Sequence, residues 1–501
     1  MLKKAKWPAE SRRAAGLDAL ALAAGAGLNL AFAPVGQWWL APVCLAVLYH
    51  LWGQGSPRRQ ALRGFLFGIG LFAVGVSWIY LTLVRFGGAP PAAALLGTAC
   101  FMVILAAYPA AAGFVFARLR NRDAWDPWLF AALWTAGEWV RGFFLTGFPW
   151  LDAGYSLDRS PLLPWAPIIG VLGLGFLVAL FAALAADVRS RPQPFFVLVV
   201  VLALGTPRIA ALRLVHKVGA PLTVSLVQGD VSPTIKWDAS SETRIIGHYL
   251  HLTRRAFGRL VIWPETAVPG YSHQLRRWFI PRMQQMAARN HRHFLLGVVE
   301  GNAWGDGPIY NAVLSIGGHD GFYRKQHLVP FGEYLPWPSV FGPILAVLHV
   351  PMSGFTPWTR PEHALVADGA RIGVTICYEI AYGALVTEEM PAATVLVNVS
   401  DDSWYGHSNE AAQQLQIARL RAAEAGRDLA IATNDGQTAV IDHRGGVAAR
   451  LPAFRPGVLT AVVQPYGGLT PYDRYGHMPV LVVCGLLILA GIIRRFTTVL
   501  R

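Results

Sequence analysis

Apolar residues fall into two textures along this chain. Up to about residue 212, and again near the C-terminus, they form long unbroken runs, whereas between these regions they come in short bursts separated by turns. A run of ~17–25 apolar residues can cross the hydrocarbon core of a bilayer as a helix. Eight such runs are present, at 14–33, 37–53, 62–84, 90–117, 127–147, 163–187, 194–212 and 476–494. The seventh is the weakest, because its strongest part, FFVLVVVLALG at 195–205, is short and is followed by Pro207 and Arg208. Residues 213–475 carry apolar segments of strand length at 222–229, 260–265, 293–299, 312–318, 372–379, 394–400, 429–435, 439–442 and 458–464. Helical stretches lie between some of them, notably 242–257 and 409–426. Near-continuous apolar strands alternating with amphipathic helices predict an α/β domain with sheets buried on both faces. The segment is long enough to enclose its own core.

Composition supports the long runs. Only 14% of the 501 residues are charged and 54% are hydrophobic, where a soluble domain carries about 25% charged residues. Yet 43 Lys+Arg against 29 Asp+Glu give a net charge of +14. Lys3, Lys4, Lys6, Arg12 and Arg13 precede the first run, and Arg58, Arg59 and Arg63 separate the second from the third. Arg118, Arg120 and Arg122 separate the fourth from the fifth, and Arg189 and Arg191 the sixth from the seventh; Arg494, Arg495 and Arg501 follow the eighth. Every second connection is basic and the alternate ones are nearly neutral. That is the positive-inside pattern of eight spans with both termini cytoplasmic, and the weak seventh run is needed to keep it. Basic residues dispersed over many loops make no nucleic-acid surface, so no nucleic-acid partner is expected. The basic N-terminus, its apolar run and the small residues near AFAP (31–34) imitate a secretory signal, but the next run follows within a few residues, which predicts an uncleaved first span.

Of four cysteines, Cys44, Cys100 and Cys484 sit in apolar runs and only Cys377 lies among polar residues, so no disulfide framework is implied. GVTICYEI (373–380) places Cys377 where a strand should end, before Tyr378 and Glu379. A buried inert cysteine and a working thiol are equally compatible with this motif. IWPETAVP (262–269) ends a buried strand at Glu265, which alone reads more readily as a loop or capping carboxylate. YRKQHLVPFGEYLP (323–336) sets Lys325 and Glu333 around a rigid apolar loop, where a solvated surface lysine is the commoner fate. Chemistry would make them cooperate. A carboxylate takes the thiol's proton as it attacks, and an ammonium with the N–H after the nucleophile stabilises the oxyanion. Such an acyl-transfer site needs neither metal nor cofactor. His248, His251, His291 and His293 lack accompanying ligands at metal spacing and read as surface histidines.

WPE, then K-x-x-L-V-P-F-G-E-Y, then C-Y-E, in that order, resembles the carbon–nitrogen hydrolase (nitrilase) superfamily with its Glu-Lys-Cys triad. The eight runs, the α/β segment inserted before the last of them and the form LVPFGEYLP resemble its apolipoprotein N-acyltransferase branch. EWVRG (138–142), GFPW (147–150), VQGDVSPTIKWD (227–238), YNA (310–312), NVSDDSWYG (398–406), QIARLRAAEAGR (416–427) and TNDG (433–436) extend the likeness over the whole chain. The resemblance implies a polytopic α-helical membrane protein of eight spans: a membrane domain with spans one to seven (1–215), an extracytoplasmic nitrilase-like α-β-β-α sandwich (216–470), and the final span with a cytoplasmic tail (471–501). It implies a multi-pass protein of a bacterial inner membrane with its catalytic domain periplasmic. The implied reaction moves a fatty acyl chain from a phospholipid, with phosphatidylethanolamine as expected donor, to the α-amino group of the diacylglyceryl-cysteine of an apolipoprotein, through a thioester on Cys377. Glu265 is implied as base and Lys325 as oxyanion and positioning group. Glu333, Tyr378 and Glu379 are implied as supporting residues, and Trp237, Asn311 and Trp150 as substrate-binding ones.

Two further features fit lipid substrates. VFGPILAVLHVPMSGFTPW (340–358) is unusually apolar for a soluble-domain loop and reads as an arm at the interface, against a packed subdomain helix. Glu138 and Arg141, three apart near the outer end of a run, read as an ion pair or a lipid-headgroup contact. The alternatives are a membrane-tethered nitrilase-type amidase, with water as acceptor, and a transporter or lipid-binding protein carrying a catalytically dead module. Intact Glu265, Lys325 and Cys377 argue against the last.

Overall fold

The computed structural model describes residues 9–301, 307–318, 320–348, 354–360, 364–389 and 391–499. Lys3, Lys4, Lys6 and Arg501 of the charge pattern, and residues 349–353 of the apolar arm, lie outside these described residues.

The first part of the chain forms α1 (Ala9–Leu28), α2 (Leu40–Trp52), α3 (Pro57–Gly75), α4 (Trp78–Arg85), α5 (Pro91–Leu119), α6 (Asp126–Arg141), α7 (Ala166–Ala186) and α8 (Pro192–Ala210), and the C-terminal helix Met478–Val499 returns to pack on α6. Among the described residues five helices are long and apolar enough to cross a membrane, or six if α3 and α4, bent by 52° at their junction, count as one span. The other two expected runs form shorter helices: α2 has 13 residues and α6 has 16, against the ~20 that a span needs. The run expected to reach 147 leaves the helix at Arg141, and Leu145, Thr146 and Gly147 then take φ of 53°, 76° and 81°.

The strands that follow are β1 (His216–Lys217), β2 (Leu222–Gln228), β3 (Leu260–Ile262), β4 (Val268–Tyr271), β5 (His293–Glu300), β6 (Tyr310–Ile316), β7 (Gly321–Arg324) and β8 (Leu365–Ala367). They continue with β9 (Ala370–Ile376), β10 (Val395–Ser400), β11 (Leu429–Thr433), β12 (Ala439–Ile441), β13 (Val447–Arg450), β14 (Gly457–Val463) and β15 (Tyr466–Gly467). One sheet runs β14-β2-β3-β5-β6-β7 with β4 on β5, and the other runs β13-β12-β11-β10-β9-β8. β2, β3 and β5 are mutually parallel, as are β9, β10 and β11. Side-chain alternation stacks the sheets. Val224, Leu226, Leu260 and Ile262 share one core with Ile372, Val374, Val395 and Val397. Val261 and Trp263 point the other way, into a second core with Ile245 and Tyr249 of helix Glu242–Thr253 and with Phe279 and Met283 of helix Phe279–Asn290.

The fourth layer is helix Glu410–Ala425, in which every residue but Ala412 and Arg419 is buried although six of the buried ones are Gln, Arg or Glu. It lies between the second sheet and the helical bundle. Gln413 Nε2 donates to the Gly75 carbonyl (3.0 Å) at the α3–α4 break, and its Oε1 accepts from Trp78 Nε1 (3.3 Å) and Trp150 Nε1 (2.7 Å). Gln416 accepts from Ala33 N–H (3.0 Å) and donates to Asp158 (2.9 Å). Glu424 accepts from Val171 N–H (2.6 Å), just past Gly170, whose φ of 64° interrupts α7. Arg421 pairs with Glu424 and reaches Tyr155 and the Ile380 carbonyl.

Removing Glu424 leaves both the Arg421 guanidinium and the Val171 N–H buried without their partner. Glu424→Ala is expected to cost about 3–5 kcal/mol, read as a lower thermal unfolding midpoint in detergent. The paired change Arg421→Met with Glu424→Leu is expected to recover most of it. A wild-type midpoint for Glu424→Ala would show that the pair does not hold the layers together.

Candidate active site

Three loops leave the C-terminal ends of β3, β7 and β9 and meet. β3 ends at Ile262 and the chain runs through Trp263 and Pro264 to Glu265, directly over β5. A Cβ on Gly297 would lie 2.0 Å from the Pro264 carbonyl oxygen and 2.6 Å from Thr266 N, so this close approach requires glycine at 297. Lys325 follows β7, is 1% exposed, and donates its backbone N–H to the Asn311 carbonyl at 2.8 Å. Its Nζ donates to Glu265 Oε1 (3.2 Å) and Glu333 Oε1 (2.9 Å), and Asn311 Nδ2 on β6 donates to the same two oxygens (2.7 and 2.8 Å). Glu265 Oε2 accepts the Asp401 N–H (3.0 Å), and Glu333 Oε2 accepts the Val329 N–H (2.7 Å). Burial alone would push the Lys325 ammonium down. The carboxylates of Glu265 and Glu333, with Cys377 and Glu379 beyond them, outweigh burial and hold it well above its ordinary range.

Cys377 follows β9 and opens the single-turn segment Cys377–Ala381 with φ of 53°, a strained conformation for a residue with a Cβ. It is 6% exposed, and its carbonyl accepts from Asn398 Nδ2 at 3.2 Å. Glu379, fully buried, clamps this turn to the lysine loop. One of its oxygens accepts the N–H groups of Gln326 (2.6 Å) and His327 (3.0 Å), and the other accepts the Ile376 N–H (2.7 Å) and the Tyr323 hydroxyl (3.0 Å). Burial pushes its carboxyl up to about 7, against the pull of Lys325 and these donors. Burial, then the Glu265 carboxylate, push the Cys377 thiol well above its usual range, while Lys325 and the Ser400 hydroxyl pull it back. A thiol so placed rests protonated and needs a base to become a nucleophile.

Tyr378 and Tyr382 both donate to the Gly147 carbonyl (3.2 and 3.1 Å), which ties the Cys377 turn to the loop after α6. Trp150, 1% exposed, stacks on Tyr378 with ring centroids 6.2 Å apart. Trp237 is 47% exposed and directly follows Lys236, whose Nζ donates to the Glu265 carbonyl at 3.1 Å. The expected pairing of Glu138 with Arg141 is not the one formed. Arg141 pairs with Asp152 (2.6 Å), while Glu138 accepts from Trp134 Nε1 (2.9 Å) and Ala153 N–H (2.7 Å), because the turn after Arg141 brings these groups back onto α6.

Sequence reasoning did not single out Lys236, Asp401 or Ser400. Lys236 forms a buried ion pair with Asp401, whose N–H orients Glu265. The polar run SDD (400–402) at the end of an apolar strand was the available signal. Among the described residues no cluster of His, Cys, Asp and Glu is arranged to hold a metal ion.

A family model described as apolipoprotein N-acyltransferase N-terminal domain matches residues 24–184, and one described as carbon-nitrogen hydrolase matches residues 223–472. The chain is 39% identical over 487 residues to the apolipoprotein N-acyltransferase of Nitrosomonas europaea, covering 95% of this chain and 97% of that one. It is 40% identical over 492 residues to that of Azotobacter vinelandii, covering 95% of each. Among solved structures, the carbon-nitrogen hydrolase from Helicobacter pylori matches with 15% identity and a TM-score of 0.36, over 48% of this chain and 88% of that one.

Gly297→Ala tests whether the Glu265 loop is set by its contact with β5. The added methyl group must displace Pro264–Thr266, so activity is expected to fall ~100-fold while stability falls by only about 1–3 kcal/mol. Turnover and thermal unfolding measured on the same preparation separate the two. Wild-type turnover would show that the loop's position does not matter.

Proposed function

The chain belongs to the apolipoprotein N-acyltransferase family, and from that premise we propose that Cys377 carries the acyl group between the two substrates as a thioester. The protein is an acyltransferase acting in lipoprotein maturation. In the first half-reaction Glu265 takes the thiol proton as Cys377 Sγ attacks the ester carbonyl carbon of a membrane phospholipid, with phosphatidylethanolamine as the expected donor. The π pair moves to oxygen, and the Lys325 ammonium and the Tyr378 N–H hold that oxyanion. Its collapse breaks the ester C–O bond, Glu265 returns the proton to the departing oxygen, and a lysophospholipid leaves. In the second half-reaction the α-amino group of the diacylglyceryl-cysteine attacks the thioester. Glu265 accepts the amine proton, the C–S bond breaks, and the thiol is restored.

The observation that carries this reading is the shared cluster of Glu265, Lys325, Asn311 and Glu333 beside the turn that presents Cys377. Within it Glu333 and Asn311 position the base and the ammonium, and Glu379 and Tyr378 hold the nucleophile's turn. Trp237 is read as lining the substrate entrance, Asn311 as reaching substrate from beside Glu265, and Trp150 as acting from beneath Tyr378. Phe331, Trp337 and Val340 expose apolar surface beside Glu333, which suits a cleft opening to lipid. The topology we favour keeps the boundaries 1–215, 216–470 and 471–501. It counts α2 and α6 among eight spans of a bacterial inner membrane, with both termini cytoplasmic and the sandwich periplasmic.

Incubation with a labelled phospholipid is expected to give a hydroxylamine-sensitive protein adduct that Cys377→Ala abolishes. Lys325→Met is expected to slow its formation ~100–1,000-fold. Adding a diacylated lipopeptide is expected to drain the adduct far faster than water does. An adduct that survives Cys377→Ala overturns the nucleophile, and one lost equally fast to water makes the protein a hydrolase.

A further inference from the structure

The proposed mechanism leaves one hydroxyl beside the nucleophile without a task. β10 pairs with β9 with Val399 opposite Ile376, so Ser400, the last residue of β10, stands at the same end of the sheet as Cys377, the first residue after β9. The Ser400 hydroxyl is among the groups that oppose the upward push of burial on the thiol. Behind it, Ser400 Oγ bonds Asp402 Oδ1 at 2.6 Å and accepts from Gln414 Nε2 at 3.0 Å. Ser400, Asp402 and Gln414 are all buried. A hydroxyl has one proton to donate. When Asp402 is ionised that proton goes to Asp402, and the thiol faces only lone pairs. When Asp402 is protonated it donates to Ser400 instead, and the hydroxyl proton is free to turn to sulfur.

Resting on the reading of Cys377 as nucleophile, we infer that Ser400, positioned by Asp402 and Gln414, turns its hydroxyl to the Cys377 sulfur as the thiol surrenders its proton, and steadies the thiolate both when it attacks and when it leaves the thioester. The Cys377 proton still goes to Glu265, Ser400 keeps its own, and only hydrogen bonds exchange.

The surroundings favour the protonated arrangement of Asp402. Burial pushes its carboxyl up to about 7; the Ser400 bond and the Gln437 N–H pull it down, and Asp401 and Glu265 push it up. Glu410 from the fourth-layer helix, Tyr405 from the turn after Asp402 and Asp435 from the loop after β11 face the same space. The cations nearby are Lys325, which acts on Cys377, and Lys236, which is taken by Asp401. Asp402 is thus poised to change protonation near neutrality, beside a sulfur whose hydrogen-bonding needs change during turnover.

The test uses the full chain in phosphatidylethanolamine-containing vesicles and reads two quantities against pH. One is the rate of Cys377 alkylation, with Cys377→Ala as blank; the other is the single-turnover rate of adduct formation from labelled phospholipid. Ser400→Ala is expected to raise the alkylation midpoint by about one pH unit or more and to slow adduct formation ~10–100-fold, the range for a lost hydrogen bond to a charged group. Ser400→Thr keeps the hydroxyl and is expected to restore both. Asp402→Asn, whose carboxamide donates to Ser400 permanently, is expected to keep the midpoint at or below that of the wild type. A merely structural role would lower the folded fraction without moving the midpoint. A wild-type midpoint in Ser400→Ala, or a raised midpoint in Asp402→Asn, overturns the inference. If adduct forms without Cys377 the nucleophile reading itself fails; if it requires Cys377 but not Ser400, only the present inference does.

Discussion

Helix Glu410–Ala425 buries Gln413, Gln414, Gln416, Arg421 and Glu424 between a sheet and a helical bundle. Groups of this kind must be hydrogen-bonded where they lie, because each one left unpaired costs roughly 1–3 kcal/mol and a charge costs more. Their partners belong to different bodies. Gln414 bonds Ser400 at the end of β10, whereas Gln413 bonds the broken junction of α3 and α4, and Glu424 bonds the interrupted α7. Each break in a bundle helix exposes backbone groups that the fourth-layer helix satisfies. The two bodies can therefore take only one relative placement without orphaning polar groups. That placement sets Cys377 over the loop at Gly147, to which Tyr378 and Tyr382 are bonded.

The same constraint governs the site. Glu265 and Glu333 are two carboxyl groups sharing one ammonium and one carboxamide. Without Lys325 they would repel each other in a dry place, and without them its ammonium would be driven to lose its proton. The cluster thus supplies a fixed positive centre. The thiol beside it is held neutral by burial and by Glu265. A buried thiolate waiting for substrate would be costly, whereas a thiol deprotonated only as it attacks avoids that cost.

Much of this was legible in the chain. The strands β2, β3, β5, β6, β9, β10, β11 and β12 were visible because burial on both faces leaves them almost wholly apolar, and β14 was visible as an apolar run although most of its side chains are half-buried or exposed. β1, β4, β7, β8, β13 and β15 were not, because strands of two to four residues at edges and corners carry no apolar run. Glu265, Lys325, Glu333, Cys377 and Glu379 stood out because each sits in a short polar interruption of apolar sequence. Lys236 and Ser400 did not, since an isolated lysine or serine reads as surface until a fold surrounds it. Helix 410–425 misled in the same way. Its glutamines and arginines suggest a solvated face, yet they meet a second body that only tertiary structure supplies. The span count depends on a similar ambiguity, because α2 and α6 stop short where the chain turns to meet the sandwich.

Glu265 bears on the order of events. An ionised carboxylate offers about four acceptor positions, and three are filled here, by Asn311 and Lys325 on Oε1 and by the Asp401 N–H on Oε2. One position remains, so a base at this site exchanges one proton with one partner at a time. On the proposed route that partner is the thiol before acylation; once the thiol is a thioester, the position is open to an incoming amine. An amine and a thiol cannot be served together, which favours two sequential half-reactions over direct transfer between two substrates bound at once. Water competes for the same position. The defence against it is the burial that makes the resting thiol reluctant: a cysteine only 6% exposed gives little room to an acceptor that brings no binding energy of its own, and a lipid-anchored amine brings a great deal.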